Sequence, residues 1–224
     1  MMVQHDPVKP CVSLTCFTGV GTEVGKTHVA SQYVRARVAA GASIGVCKPV
    51  ASGCLATSSG ELLANDAIEL WHAAGQTGSL DHVCPQRFAA SLSPPAAAAA
   101  EETSVDWGML VDSIDRWMTP KYAEVVAEGA GGLFSPIADA RLNIDLVKVW
   151  RDRYPTKLIL VAVDRLGVQH DVISAVKAAA ADGCHVDCVV LNRIPGRDDA
   201  SSSKNIVELR KWLSIPIHHQ ATEI

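Results

Sequence analysis

Short, nearly unbroken apolar runs alternate along the chain with longer stretches whose apolar residues recur every three or four positions. The runs at 11–18, 43–48, 123–127, 158–163 and 186–191 predict strands, and their lack of polar alternation predicts burial on both faces. Helical spacing is read at about 25–40, 61–74 and 171–182, the last closed by Gly183 as its C-cap. Residues 93–100 carry two prolines followed by five alanines; a proline-started helix is the expected reading and a linker the alternative. Residues 195–204, rich in Gly, Asp and Ser, read as a mobile loop. Strands alternating with helices predict an α/β fold: a single doubly wound domain, with a mostly parallel β-sheet and helices on both faces. It is expected to span 11–224, behind a disordered extension at 1–10. No internal repeat interrupts it.

Composition narrows the partners. At 224 residues and 48% hydrophobic, the chain can bury a sizeable core, and with 5% aromatics that core must be mainly aliphatic. A net charge of −4 without a basic stripe argues against nucleic acid, so an anionic ligand would need a local site. No apolar run is long enough to span a bilayer, and Met1 to Pro10 lacks the apolar segment of a signal peptide. The seven cysteines include no Cys-x-x-Cys pair and are expected to be free thiols in a reducing cytoplasm.

The candidate chemistry lies after the first strand. Gly19-Val20-Gly21-Thr22-Glu23-Val24-Gly25-Lys26-Thr27 runs from that strand into a helix, the setting of a P-loop, whose backbone N–H groups wrap phosphate at a helix N-terminus. Five residues separate Gly19 from Gly25, where the ordinary motif has four. Lys26 is suited to the outer phosphates and the Thr27 hydroxyl to a phosphate-bound Mg²⁺. Glu128 is expected to end the strand at 123–127, where ligands of doubly wound folds sit. Asp66 has two open readings: a further metal ligand, or an acid favoured by the dipole of a helix start. Glu23 also has two, a carboxylate facing a cationic substrate or a solvated loop acid. His218-His219 reads as a solvated tail, and Asp171 as the cap of the helix that follows it.

Taken together, these residues resemble the dethiobiotin synthetase family. The resemblance rests on the extended loop from Thr18 to Thr27, on Lys48-Pro49-Val50-Ala51-Ser52-Gly53, and on Asn65-Asp66-Ala67. Glu128-Gly129-Ala130-Gly131-Gly132, Ser93-Pro94 and Asn192 at a strand end complete it. It implies a P-loop NTPase type of fold and a cytoplasmic, homodimeric enzyme acting on 7,8-diaminopelargonic acid, CO₂ and ATP with Mg²⁺. One amine captures CO₂ as a carbamate, ATP phosphorylates the carbamate, and the second amine closes a cyclic urea. By the same resemblance, Lys26 and Lys48 are catalytic, and Thr22, Glu23, Lys48 and Ser52 meet the substrate. ATP is held by Glu23, Val24, Gly25, Lys26, Thr27, His28, Asp66, Glu128, Gly129, Ala130 and Gly131, with Asn192 reading the adenine. The metal falls to Thr27, Asp66 and Glu128.

Two segments depart from the family pattern. Leu166-Gly167-Val168-Gln169-His170 is one residue shorter than the usual turn and has Gln for Asn, at a place where the family reaches across its dimer to the substrate carboxylate. The chain also stops at Ile224, soon after Ile215-Pro216-Ile217, where family members continue on the ribose side of the nucleotide. Three alternatives are open: a cobyrinic acid type of synthetase, a positioning ATPase, and a nucleotide-binding regulatory domain without synthetase activity. The first normally carries a glutaminase domain for which this chain has no room. The second places a signature lysine where this chain has Gly21, and the intact Lys26, Thr27, Lys48, Asp66 and Glu128 argue against the third.

Overall fold

The computed structural model describes residues 12–194, 201, 204–220 and 224. The extension expected at 1–10 and most of the loop expected at 195–204 lie outside them. β1 (Ser13–Gly19) is one of the two central strands of a six-stranded sheet. On one side it is flanked by β3 (Glu124–Gly132) and then β2 (Ile44–Cys47). On the other side come β4 (Thr156–Val163), β5 (Cys188–Asn192) and β6 (Ile217–His218). Every pairing in this sheet is parallel. β1 and β3 are neighbours whose onward connections run in opposite directions, to β2 and to β4. Right-handed crossovers then place helices on both faces and open a crevice at the carboxyl ends of β1 and β3.

The apolar runs become inner strands because their side chains on both sides meet packed neighbours. Leu14, Phe17, Leu158, Ile159, Leu160 and Val161 are all fully shielded from solvent. Besides the short helices Leu80–Val83 and Trp107–Asp112, the described helices are α1 (Lys26–Ala39), α2 (Asn65–Ala73), α3 (Pro94–Ala100), α4 (Asn143–Arg153) and α5 (Val168–Ala181), with α6 (Asn205–Leu209) before β6. α3 settles the choice at 93–100: the prolines occupy its first turn, where their missing N–H groups cost nothing. Among the described residues no helix is long and apolar enough to cross a membrane. The six described cysteines are free and buried.

Four expectations are corrected. The helix expected from 61 begins only at Asn65, because Leu62–Leu63 pair in antiparallel fashion with Leu55–Ala56 across a turn containing Gly60. β3 does not end at Glu128 but runs to Gly132, and Glu128 stands beside Phe17 in the middle of the sheet. α5 starts at Val168 after Gly167, whose φ of 88° turns the chain; Asp171 therefore sits inside the first turns, paired with Arg165, and is not the cap. His218 belongs to edge strand β6, and His219 lies 3.5 Å from the buried Asp164, so the pair is not a solvated tail.

The amino ends of the strands are fastened by a buried carboxylate. Glu124 accepts hydrogen bonds from Thr15 (2.5 Å) and Tyr33 (2.9 Å), and pairs with Arg37 at 3.3 Å, tying β1, β3 and α1 together. Glu124→Ala leaves two buried hydroxyls without an acceptor and should cost about 2–4 kcal/mol of stability in a urea titration. Because this cluster lies at the opposite end of the sheet from the P-loop, the folded variant should bind ATP with wild-type affinity. A weakened ATP affinity would contradict that separation.

Candidate active site

The turn after β1 passes into α1 through Gly25, the N-cap, with φ 85°. No side chain caps this helix, so the N–H groups of its first turn are available to an anion. A Cβ at Gly25 would lie 2.0 Å from the Asn192 amide nitrogen. That amide donates to the Val24 carbonyl at 3.0 Å, so the end of β5 holds the loop from behind. Glu23 adopts φ 55°, a left-handed conformation that costs a non-glycine residue about 1–2 kcal/mol, and it is exposed toward the cleft.

A cleft of about 880 Å³ opens over this loop at the carboxyl ends of the strands. Thr22, Glu23, Gly25, Lys26, Thr27, His28, Lys48, Ser52, Asp66, Glu128, Ala130 and Gly131 all line it. Three expected residues stand behind the wall. Val24 is buried and offers its carbonyl to Asn192; Gly129 offers its carbonyl to Lys48; Asn192 is bound to the loop.

Lys48 follows β2, where its backbone N–H donates to the Val83 carbonyl at 2.7 Å. Its side chain is 3% exposed, and its ammonium lies 2.5 Å from Glu128, 3.0 Å from Asp66 and 3.3 Å from the Gly129 carbonyl. Burial disfavours the ammonium, but the two carboxylates outweigh it and hold the Lys48 pKa above the ordinary lysine value. The Asp66 carboxyl is held below its usual range by Lys48. Asp66 lies in the first turn of α2, as the helix-start reading expects, and also lines the cleft. Burial pushes the Glu128 carboxyl up, with Lys48 opposing. Lys26 sits across the same cleft, donates to the Gly21 carbonyl at 3.2 Å, and has its pKa lowered by burial and by Lys48.

The donor set suits a hard divalent cation. The Thr27 hydroxyl donates to Glu128 Oε1 at 3.0 Å, whereas Glu128 Oε2 is buried with no hydrogen-bond partner. The cleft wall carries four carboxylates, Glu23, Asp66, Glu69 and Glu128, against two ammonium groups. One divalent cation would make good that deficit before a polyphosphate enters. Among the described residues no three His, Cys, Asp or Glu side chains gather to hold a metal unaided. A cation here would need Thr27, the two carboxylates and the phosphates together.

Several lining residues carry no motif of their own. Glu69 lies one turn beyond Asp66 on α2, and Ser135 and Pro136 follow the glycine tract. Ser91 and Leu92 form a rim in which the Leu92 carbonyl accepts the Ser52 hydroxyl at 2.6 Å. Gln169 of the shortened turn donates to Asn205 within its own subunit at 3.3 Å.

Comparison with known proteins gives these residues a context. A family model described as an AAA domain matches residues 16–222. The ATP-dependent dethiobiotin synthetase BioD of Rhodopirellula baltica is 45% identical over 210 residues, covering 92% of this chain and 82% of that protein. The protein of the same name from Anaeromyxobacter dehalogenans is 37% identical over 194 residues, covering 87% and 82%. Among solved structures, the signal recognition particle receptor FtsY of Elizabethkingia anophelis superposes with a TM-score of 0.52 at 16% identity. The match covers 96% of this chain but only 59% of the receptor, and it speaks to the fold alone.

Lys26→Ala should leave the fold intact, since that ammonium touches only a loop carbonyl. ATP at about 100 times its Kd should stabilise the wild type by about 2.7 kcal/mol in a thermal melt, and the variant by much less. Equal stabilisation would remove Lys26 from the phosphate site.

Proposed function

The chain belongs to the ATP-dependent dethiobiotin synthetase family, and we propose that the cleft over its P-loop is where 7,8-diaminopelargonic acid, CO₂ and ATP are joined. Members of this family are ATP- and Mg²⁺-dependent ligases of biotin synthesis. The observation that carries the site assignment is the convergence of Lys26, Thr27, Lys48, Asp66 and Glu128 on one cleft at the helix N-terminus.

In this reading the first-turn N–H groups of α1 and the ammonium of Lys26 hold the phosphates. Glu23 faces the cleft as a carboxylate that meets the substrate's ammonium. One amine, once uncharged, adds to CO₂ and loses a proton to give a carbamate. A carbamate oxygen attacks the γ-phosphorus and ADP departs; the second amine then attacks the carbonyl carbon of the mixed anhydride and phosphate departs. The substrate supplies both nucleophiles, so positioning and charge neutralisation are what the protein contributes. Carbamate and polyphosphate are both anionic, and Lys48 is the cation placed to lie between them. The hydroxyl of Ser52, anchored on the rim by the Leu92 carbonyl, keeps an acceptor lone pair for an amine or a bridging water. Mg²⁺, held by Thr27, Asp66 and Glu128, would supply further neutralisation of the phosphates. Asn192, already fixed against Val24, retains its side-chain oxygen to accept from the adenine amine.

The working unit is a cytoplasmic homodimer in this proposal, with no role for nucleic acid or membrane. Leu166 projects at 76% exposure from the turn that precedes α5. In this proposal the turn approaches the partner's cleft through the exposed side chain of Leu166, while Gln169 is held inside its own subunit.

The test uses the purified protein with the diamine, ATP, Mg²⁺ and ¹⁸O-labelled bicarbonate, read by mass spectrometry. The expected result is the cyclic urea together with inorganic phosphate carrying an oxygen from CO₂. ATP hydrolysis with solvent oxygen in the phosphate, and no cyclic urea, would overturn the proposal.

A further inference from the structure

β1 and β3 keep step until Phe17 faces Glu128, and the next recorded pair is Gly19 with Gly132. Three residues of β3 therefore stand opposite the single Thr18, and Ala130 and Gly131 of that bulge line the cleft. A bulge of this kind strands backbone carbonyls that the sheet ladder would otherwise satisfy. Here the bulge carbonyl of Ala130 meets a side chain together with two carbonyls from beyond the bulge. The Asn143 amide nitrogen donates to the carbonyls of Ala130 (2.6 Å), Gly132 (3.0 Å) and Ser135 (3.1 Å).

Asn143 is the first residue of α4 and is 3% exposed. Its backbone N–H also donates to the Ser135 carbonyl, at 3.1 Å. Its side-chain oxygen is buried without a partner, and a Cβ on Gly129 would lie 2.8 Å from it. Gly129 is thus the residue that lets this amide in; it directly follows Glu128, and its own carbonyl meets Lys48. In a trans peptide the N–H points away from the preceding carbonyl. The Gly132 carbonyl held by Asn143 accordingly sends the Leu133 N–H to the Gly19 carbonyl at 2.8 Å, at the root of the P-loop.

We infer that Asn143 is a positioning residue for the reaction: it fixes the tract from Gly129 to Ser135 so that Glu128 and the Gly129 carbonyl stand where Lys48 and the cation need them. The inference rests on the assignment of Glu128 as a metal ligand. An amide is suited to the task because it offers two hydrogens, one shared between two of the three carbonyls, and carries no charge to compete with Lys48. An aspartate in its place would turn oxygen against three carbonyl oxygens.

The test measures Mg²⁺ binding to the complex with a non-hydrolysable ATP analogue by calorimetry, beside kcat and the KM for ATP. Asn143→Ala should weaken Mg²⁺ by about tenfold and lower kcat by about tenfold or more, the range found for groups that orient metal ligands. The KM for ATP should change by less than about twofold, because the P-loop contacts are retained. Trp150→Phe, at the other end of α4, deletes the buried hydrogen bond to the Val111 carbonyl and serves as the control for lost stability alone. It should leave Mg²⁺ binding unchanged. Gly129→Ala provides an independent route, since its Cβ would push the Asn143 amide aside. It should reproduce the Mg²⁺ defect, and the double variant should be no worse than the more severe single one. Wild-type Mg²⁺ binding in both Asn143→Ala and Gly129→Ala, with Glu128→Gln still defective, would overturn the inference and leave the ligand assignment standing. Wild-type Mg²⁺ binding in Glu128→Gln would overturn the ligand assignment itself, and this inference with it.

Discussion

A lysine ammonium that is almost wholly withdrawn from water lies 2.5 Å from a buried carboxylate toward the carboxyl end of the sheet. Removing either charge from water alone costs several kcal/mol, and an ion pair repays this only when its geometry is fixed from all sides. The fold supplies that fixing. β2 pairs with β3, so the segment carrying Lys48 leaves the sheet beside the strand carrying Glu128. Asp66 reaches the same ammonium from the first turn of α2, and Thr27 reaches the same carboxylate from α1. Four segments far apart in the chain thus meet at one pair of charges.

The same requirement divides the sheet into two ends. At the amino end Glu124 is saturated by two hydroxyls and Arg37, and nothing is left for a ligand. At the carboxyl end Glu128 keeps one buried oxygen without a partner, and α1 presents a first turn without a side-chain cap. Glu128 Oε2 and the uncapped N–H groups of α1 thus lie where an anionic substrate and its cation would satisfy them. Glu23, held in a left-handed conformation at the rim, is the local strain that accompanies this arrangement.

Much of this was legible in the chain. The apolar runs located the inner strands because burial on both faces leaves no alternation to confuse them. The glycine loop located the phosphate site because close backbone approach restricts its residue types. Among the features that were not legible, three bear on the site. Leu62–Leu63 continue a helical pattern by residue type and were claimed instead by a hairpin partner. Glu128 looked terminal because a glycine tract follows it, although the strand resumes its pairing at Gly132. Asn143 has no motif, since its role depends on three carbonyls brought to it by the bulge and by the loop behind it.

The most direct test of the central claim is the effect of Lys48→Met on turnover and on ATP binding, measured separately on protein shown by melting to be folded. Loss of the ammonium should cost about 3–5 kcal/mol of stability, since it leaves Glu128 buried and unpaired. If the charge acts chiefly as the carbamate meets the γ-phosphate, kcat should fall by about a hundredfold or more while the ATP dissociation constant changes little. Wild-type turnover in a folded Lys48→Met enzyme would contradict the account.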